Sequence, residues 1–257
     1  MSTREPIATR AQSNPFSSDV VFQPQAHHVP HDARVFCRAC FSRSRCLPAE
    51  LDGEDLANFE RSVWRVPRPL KTGRTLVRQG NAVEGLYALR VGSVKAVVDG
   101  PRGTERVVDF RFPGAIIGLA QLDEARWQCS YIALEDCWLC HIPLHALTDT
   151  LRHQVVKIMS AALRQGYESH LTLAFKNNMQ KVASFLVAIS DNCRRRELAP
   201  HRFNLPMQYK DIASYLGMRH ETVSRTLAKL QQLGLIERSG NRIHILDLGA
   251  LRGVRGS

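Results

Sequence analysis

Long apolar runs are missing from this 257-residue sequence. The longest mostly apolar stretches, such as 182–189, are about eight residues, against the ~20 needed to span a bilayer. No membrane role is expected. Arg4 and Arg10 are not followed by an apolar segment, so a secretory signal is not expected either, and the chain reads as cytoplasmic. Acidic residues are scarce, 24 Asp and Glu against 35 Lys and Arg, which leaves a net charge of +11. The sequence also lacks a phosphate-binding glycine loop and a paired-carboxylate motif, so an enzyme is not expected. Cys140 and His141 are neighbours on an expected strand, where successive side chains face opposite ways. They therefore do not make a nucleophile–base pair.

What is present is a globular composition, 44% hydrophobic, at a length suited to one large domain or two small ones. Seven cysteines, an odd number, read as metal ligands or reactive thiols in a reducing compartment rather than as disulfides. The excess charge is uneven. Residues 191–257 hold twelve Lys and Arg against six acids, over half of the total excess in about a quarter of the chain. That asymmetry suits a polyanionic partner for the C-terminal region.

Residues 1–34 are polar, with scattered proline and no sustained period, and read as a mobile tail; His27, His28 and His31 within it read as incidental. A compact cysteine-bearing segment, 37–46, leads into an expected helix over 48–65 with Leu51, Leu56, Phe59 and Val63 on its apolar face. From 71 to 143 the pattern changes to short strands, expected at 75–78, 85–90, 93–98, 106–112 and 130–142, separated by glycine turns. This is the spacing of a β-sandwich or roll. After Pro143 the period lengthens. Val156, Met159, Leu163, Tyr167, Leu171 and Ala174 fall at steps of three and four on one helical face. A helix of about 25 residues reaches roughly 37 Å, more than a small domain covers, so the stripe reads as a homodimer seam as much as a core face. Gly166 lies within it and weakens it.

Beyond 178 come an expected helix at 179–190, another at 207–216, Gly217, a third at 219–233 and a hairpin over 235–246. Helix, tight turn, helix, wing is the winged helix-turn-helix order. The expected architecture is therefore α+β: a mobile tail (1–34), a cysteine-bearing arm and β-roll sensor domain (35–150), a long dimerisation helix (151–177) and a C-terminal winged helix-turn-helix (178–257). Within the last part, Ile212, Leu216, Val223 and Leu227 are spaced to pack two short helices together, and Gly217 suits the left-handed turn between them. The second helix then offers His220, Glu221, Ser224 and Arg225 near its start. Arg225 is able to donate bidentately to guanine, Glu221 to accept from cytosine and Ser224 to contact thymine or adenine, while Thr222 and Lys229 suit phosphates of double-stranded DNA.

The string Glu221-Thr222-Val223-Ser224-Arg225 resembles the Glu-x-x-Ser-Arg recognition signature of the CRP/FNR superfamily of bacterial regulators. The resemblance covers roughly 37–248. It implies a β-roll joined to a winged helix through a long dimer helix, a palindrome of TTGAT half-sites as target, and contact with RNA polymerase through roll loops such as 99–104. His220 stands where oxygen-sensing members often carry an aliphatic residue. The cyclic-nucleotide branch carries a Gly-Glu pair and an Arg for the cyclic phosphate. Here Gly118-Leu119 stands in place of the first, and Trp127-Gln128-Cys129-Ser130 in place of the second, so no cyclic nucleotide is expected.

Cys37-x2-Cys40-x5-Cys46 sets three thiols within ten residues, and Cys140 lies at the end of a distant roll strand. Four such thiolates suit a 4Fe–4S cluster or a zinc ion, and the spacing alone does not choose between them. Arg38, Arg43 and Arg45 flank the ligands and are able to offset their charge. Redox or nitric oxide sensing through zinc or free thiols is the alternative within the same fold. The four cysteines match, one by one, the ligand positions of the FNR branch, the anaerobic regulators of fumarate and nitrate reduction. That match implies an oxygen-labile 4Fe–4S cluster that favours the DNA-binding dimer. Cys129, Cys137 and Cys193 have no counterpart there; Cys129 and Cys137 read as small strand residues.

Overall fold

The computed structural model describes residues 34–100 and 103–256. The expected tail apart from Arg34, including His27, His28 and His31, lies outside them, as do Pro101 and Arg102 of the 99–104 loop. Three 3-10 turns, Cys37–Ala39, Arg43–Arg45 and Leu47–Glu50, carry the arm into α1 (Gly53–Ser62). This helix is shorter than the expected 48–65. Pro48 lies inside a 3-10 turn, and extended Leu51 and Asp52 separate that turn from α1.

Eight strands follow: β1 (Trp64–Arg65), β2 (Thr75–Val77), β3 (Gly85–Val91), β4 (Val94–Asp99), β5 (Glu105–Arg111), β6 (Ile116–Ile117), β7 (Ser130–Ala133) and β8 (Trp138–Pro143). They form two antiparallel sheets of four, ordered β1-β8-β3-β6 and β2-β7-β4-β5. The expected strand over 130–142 is thus two strands in different sheets, broken at Glu135-Asp136. Switching sheets there turns the chain into a roll. Between the sheets lies an apolar interior with Leu76, Leu89, Val94, Ile117, Trp127, Tyr131 and Leu139.

The remaining elements are α2 (Arg152–Phe175), α3 (Asn178–Arg195), β9 (Arg202–Asn204), α4 (Tyr209–Leu216), α5 (His220–Gln232), β10 (Ile236–Ser239), β11 (Arg242–Ile245) and α6 (Leu248–Gly256). Short β9 and α6 carried no sequence signal of their own. Asn177 divides α2 from α3 with a reciprocal cap: its side chain accepts from the Gln180 N–H, and Gln180 accepts from the Asn177 N–H. Strands β10, β11 and β9 make a small third sheet, the wing. Among the described residues no helix is long and apolar enough to cross a membrane.

The winged-helix core runs on without a break into the outer face of the roll. Val97, Val107 and Phe110 pack in one cluster with residues of α3, α4 and α5. The Phe110 ring meets those of Phe185 and Tyr215 at 6.0 and 5.4 Å. Lys95 Nζ pairs with Asp211 Oδ1 at 2.7 Å, and the Val107 N–H donates to Ser214 Oγ at 2.9 Å. So α4 is seated on β4 and β5.

Candidate functional site

The cysteine arm packs on the outer face of β3 and β8. Leu56, Phe59 and Val63 at α1 and beyond it, with Val35, Leu47 and Leu51, press it against Ala88 and Ile142. Glu60 fixes its start: Oε1 accepts from the Cys37 N–H at 2.6 Å. In the resulting cavity Cys37, Cys40, Cys46 and Cys140 all contribute to the wall. Ser42, Arg43 and Arg90 line it too. Ser42 is buried, and its hydroxyl has no partner among the described residues.

The thiols act on one another electrostatically. Burial, then the charge of Cys140, pushes the Cys37 thiol up to about 12. Burial and then Cys37 hold Cys46 far above the ordinary thiol range. Burial raises Cys140 to about 11, with Arg90 pulling the other way. As bare thiols these groups stay neutral; four thiolates here need a cationic centre to offset them. No three His, Cys, Asp or Glu side chains among the described residues converge tightly enough to hold a single metal ion.

The three flanking arginines separate. Arg43 lines the cavity, and its guanidinium donates to the Leu51 carbonyl at 2.5 Å. Arg38 is exposed, and Arg45 does not line the cavity but donates to the Arg195 carbonyl. His141, next to Cys140, lies on the other side of β8, its ring 4.5 Å from that of Trp64 and tilted by 33°. Burial pushes its imidazole down to about 4. Cys137 lies in the roll interior, with its Sγ near the Ser93 and Glu135 carbonyls; Cys129 lies there too, and Cys193 is in the winged-helix core. None of these three lines the cavity.

A link between cavity and long helix was not visible in the sequence. The buried Gln154 of α2 donates from Nε2 to the Cys46 carbonyl at 3.1 Å. Glu50 of the arm accepts from Lys157 and pairs with His153 on the same helix, each at 2.9 Å. On α2, Val156, Met159, Leu163, Tyr167 and Leu171 stand 43–65% exposed, an apolar stripe left open along one chain.

At the other end of the molecule, Gly217 (φ +64°) turns α4 into α5. Ile212, Leu216, Val223 and Leu227 are all buried between the helices. His220, Glu221, Arg225 and Lys229 are exposed on α5, with Thr222 and Ser224 half-buried among them. His220 Nδ1 lies 3.5 Å from Glu221 Oε2. A shallow depression at the start of α5 is lined by these two and by Lys210 and Arg219, bases that spacing alone did not single out. Asp211 and Tyr215 face the roll instead, while Ser214 borders the depression and also accepts from the Val107 N–H.

Trp127 is buried against Gly118, where an added Cβ would stand 2.8 Å from its ring and 2.9 Å from Leu86.

Two family profiles match the chain: a cyclic nucleotide-binding domain over 67–154 and a Crp-like helix-turn-helix domain over 180–254. The transcriptional activator protein Anr of Pseudomonas aeruginosa is 35% identical over 230 residues, covering 87% of this chain and 90% of that protein. The fumarate and nitrate reduction regulatory protein of Escherichia coli is 29% identical, covering 86% and 91%. Among solved structures, FixK2 from Bradyrhizobium japonicum superposes with a TM-score of 0.66 at 22% identity, over 74% of this chain and 96% of that one.

Proposed function

We propose a function on the premise that this chain belongs to the CRP/FNR superfamily, as a transcription regulator of the FNR and Anr type rather than an enzyme. In this reading the protein is a cytoplasmic, oxygen-responsive activator that binds a TTGAT-type palindrome as a homodimer when oxygen is absent. Residues 35–150 sense, 151–177 dimerise and 178–257 read DNA. The observation that carries it is the single cavity lined by Cys37, Cys40, Cys46 and Cys140. These four would hold a 4Fe–4S cluster. When bound, it supplies an oxygen-labile redox centre to a site that otherwise holds only thiols. The donor set suits the group: four sulfurs, a buried hydroxyl and two lining arginines against a net negative centre.

The protein's own residues supply the rest. Four thiolates gathered at one centre tether the arm to β8. Through Gln154 and Glu50 the tethered arm holds the first turns of α2, from which the open apolar stripe runs. Glu221, Ser224 and Arg225 then meet base edges, with His220 beside them at the half-site edge, while Thr222 and Lys229 meet phosphates. Contact with RNA polymerase through the 99–104 loop completes the activator reading. Trp127 and the tight packing at Gly118 support a roll that takes no cyclic nucleotide.

Binding of a TTGAT palindrome, measured with and without air, tests the function. Tight binding of the anaerobic protein that weakens on air exposure is expected; binding indifferent to oxygen would overturn the sensing half of the reading.

A further inference from the structure

Arg45 stands where the cysteine arm meets both the β-roll and the DNA-binding region. It closes the second 3-10 turn and immediately precedes Cys46. Its Nη1 donates to the main-chain oxygen of Arg195, the last residue of α3, at 2.8 Å. The final carbonyls of an α-helix lack partners within it, and the helix dipole concentrates negative charge there, so a guanidinium is a fitting cap. The stem of Arg45 rests on Gly114 in the turn between β5 and β6. A Cβ at Gly114 would lie 2.9 Å from Arg45 Nε and 3.2 Å from Arg45 Cβ, and the glycine has φ +96°. The side chain is thus held on one side by the roll and on the other by α3, which packs against α5 and α6.

We propose that Arg45 is a positioning residue that transmits the state of the thiol cavity to the DNA-binding region within one chain. With Cys46 held in the cavity, Arg45 is in reach of Arg195 and braces the end of α3, and α3 in turn supports the recognition helix. The inference rests on the reading of the four cysteines as a cluster site. It differs from coupling through the dimer seam, because a seam-only mechanism leaves the DNA affinity of the assembled dimer indifferent to Arg45.

The test uses the full-length protein, prepared without oxygen, as wild type, Arg45→Met and Arg45→Lys. Methionine keeps a stem on Gly114 and removes the donor. Arg45→Met is expected to keep wild-type iron and sulfide and a wild-type dimer constant by sedimentation. Its dimer should nevertheless bind the palindrome roughly threefold to tenfold more weakly, the range for losing one charged cap. Lysine should restore part of the loss. Hydrogen exchange over 191–196 should slow in the wild type when iron is loaded, and be the same with and without iron in Arg45→Met. Unchanged DNA affinity and exchange in Arg45→Met would overturn the proposal. So would loss of iron from that variant, which would make Arg45 part of the cavity rather than a brace. Wild-type protein that takes up no iron would instead sink the cluster reading beneath it, and the iron assay tells the two failures apart.

Discussion

At the scale of single residues, the proposed reading of DNA turns on the polar side chains of α5. Arg225 is exposed on α5, whereas neighbouring Thr226 and Leu227 are buried. Replacing Arg225 with alanine is expected to cost roughly 1–3 kcal/mol of specific binding while leaving non-specific binding and metal content near wild type. A palindrome and a scrambled duplex, titrated side by side, check this; equal losses on both would assign Arg225 to phosphates. At this scale much was legible. The polar side chains of α5 followed from helical spacing after a glycine turn, and the grouping of Cys37, Cys40 and Cys46 from their closeness in sequence. That Cys140 joins the same cavity was not derivable from spacing and came from resemblance. The division of labour among Arg38, Arg43 and Arg45 was not legible at all, because a 3-10 turn sends successive side chains in directions that no apolar period records.

Elements decide what moves. The stripe on α2 was plain in the sequence because a 3.6-residue period sustained over a long proline-free run specifies one helical face, and in one chain that face lies open. Leu163→Glu, at a position 62% exposed, should leave helix content intact and convert the protein to monomer in sedimentation equilibrium. A dimer that survives the charge would place the seam elsewhere. The seat of α4 on β4 and β5 was invisible beforehand. Lys95 and Asp211 are 116 residues apart, and each reads alone as an ordinary surface charge. Lys95→Met leaves the Asp211 carboxylate buried without its cation, with the Gln208 N–H still donating to it. A loss of roughly 2–4 kcal/mol in denaturant unfolding is expected, below the full cost of a wholly buried pair because Lys95 keeps 16% exposure. Adding Asp211→Asn should recover most of it; a further loss would show that the carboxylate is needed for more than the pair.

At the scale of the whole molecule, the arm, the roll, the long helix and the winged helix form one connected body. The arm touches α2 through Gln154 and Glu50, and α3 through Arg45, while the roll holds α4 through Lys95 and Val107. A change at the thiol cavity therefore has short mechanical paths both to the dimer stripe and to the DNA-reading helices. The fold class was legible because three periodicities succeed one another along the chain, short strands, one long helix, then helix-turn-helix and wing. The paths were not, because contacts between elements depend on how the roll closes, and closure turns on the sheet switch at Glu135-Asp136.

Purification without oxygen tests most directly whether Cys37, Cys40, Cys46 and Cys140 hold a 4Fe–4S cluster. Iron and sulfide analysis with an ultraviolet–visible spectrum, before and after air exposure, should give about four irons and four sulfides per chain, a brown colour and bleaching in air. A colourless protein carrying one zinc per chain and unchanged by air would contradict it.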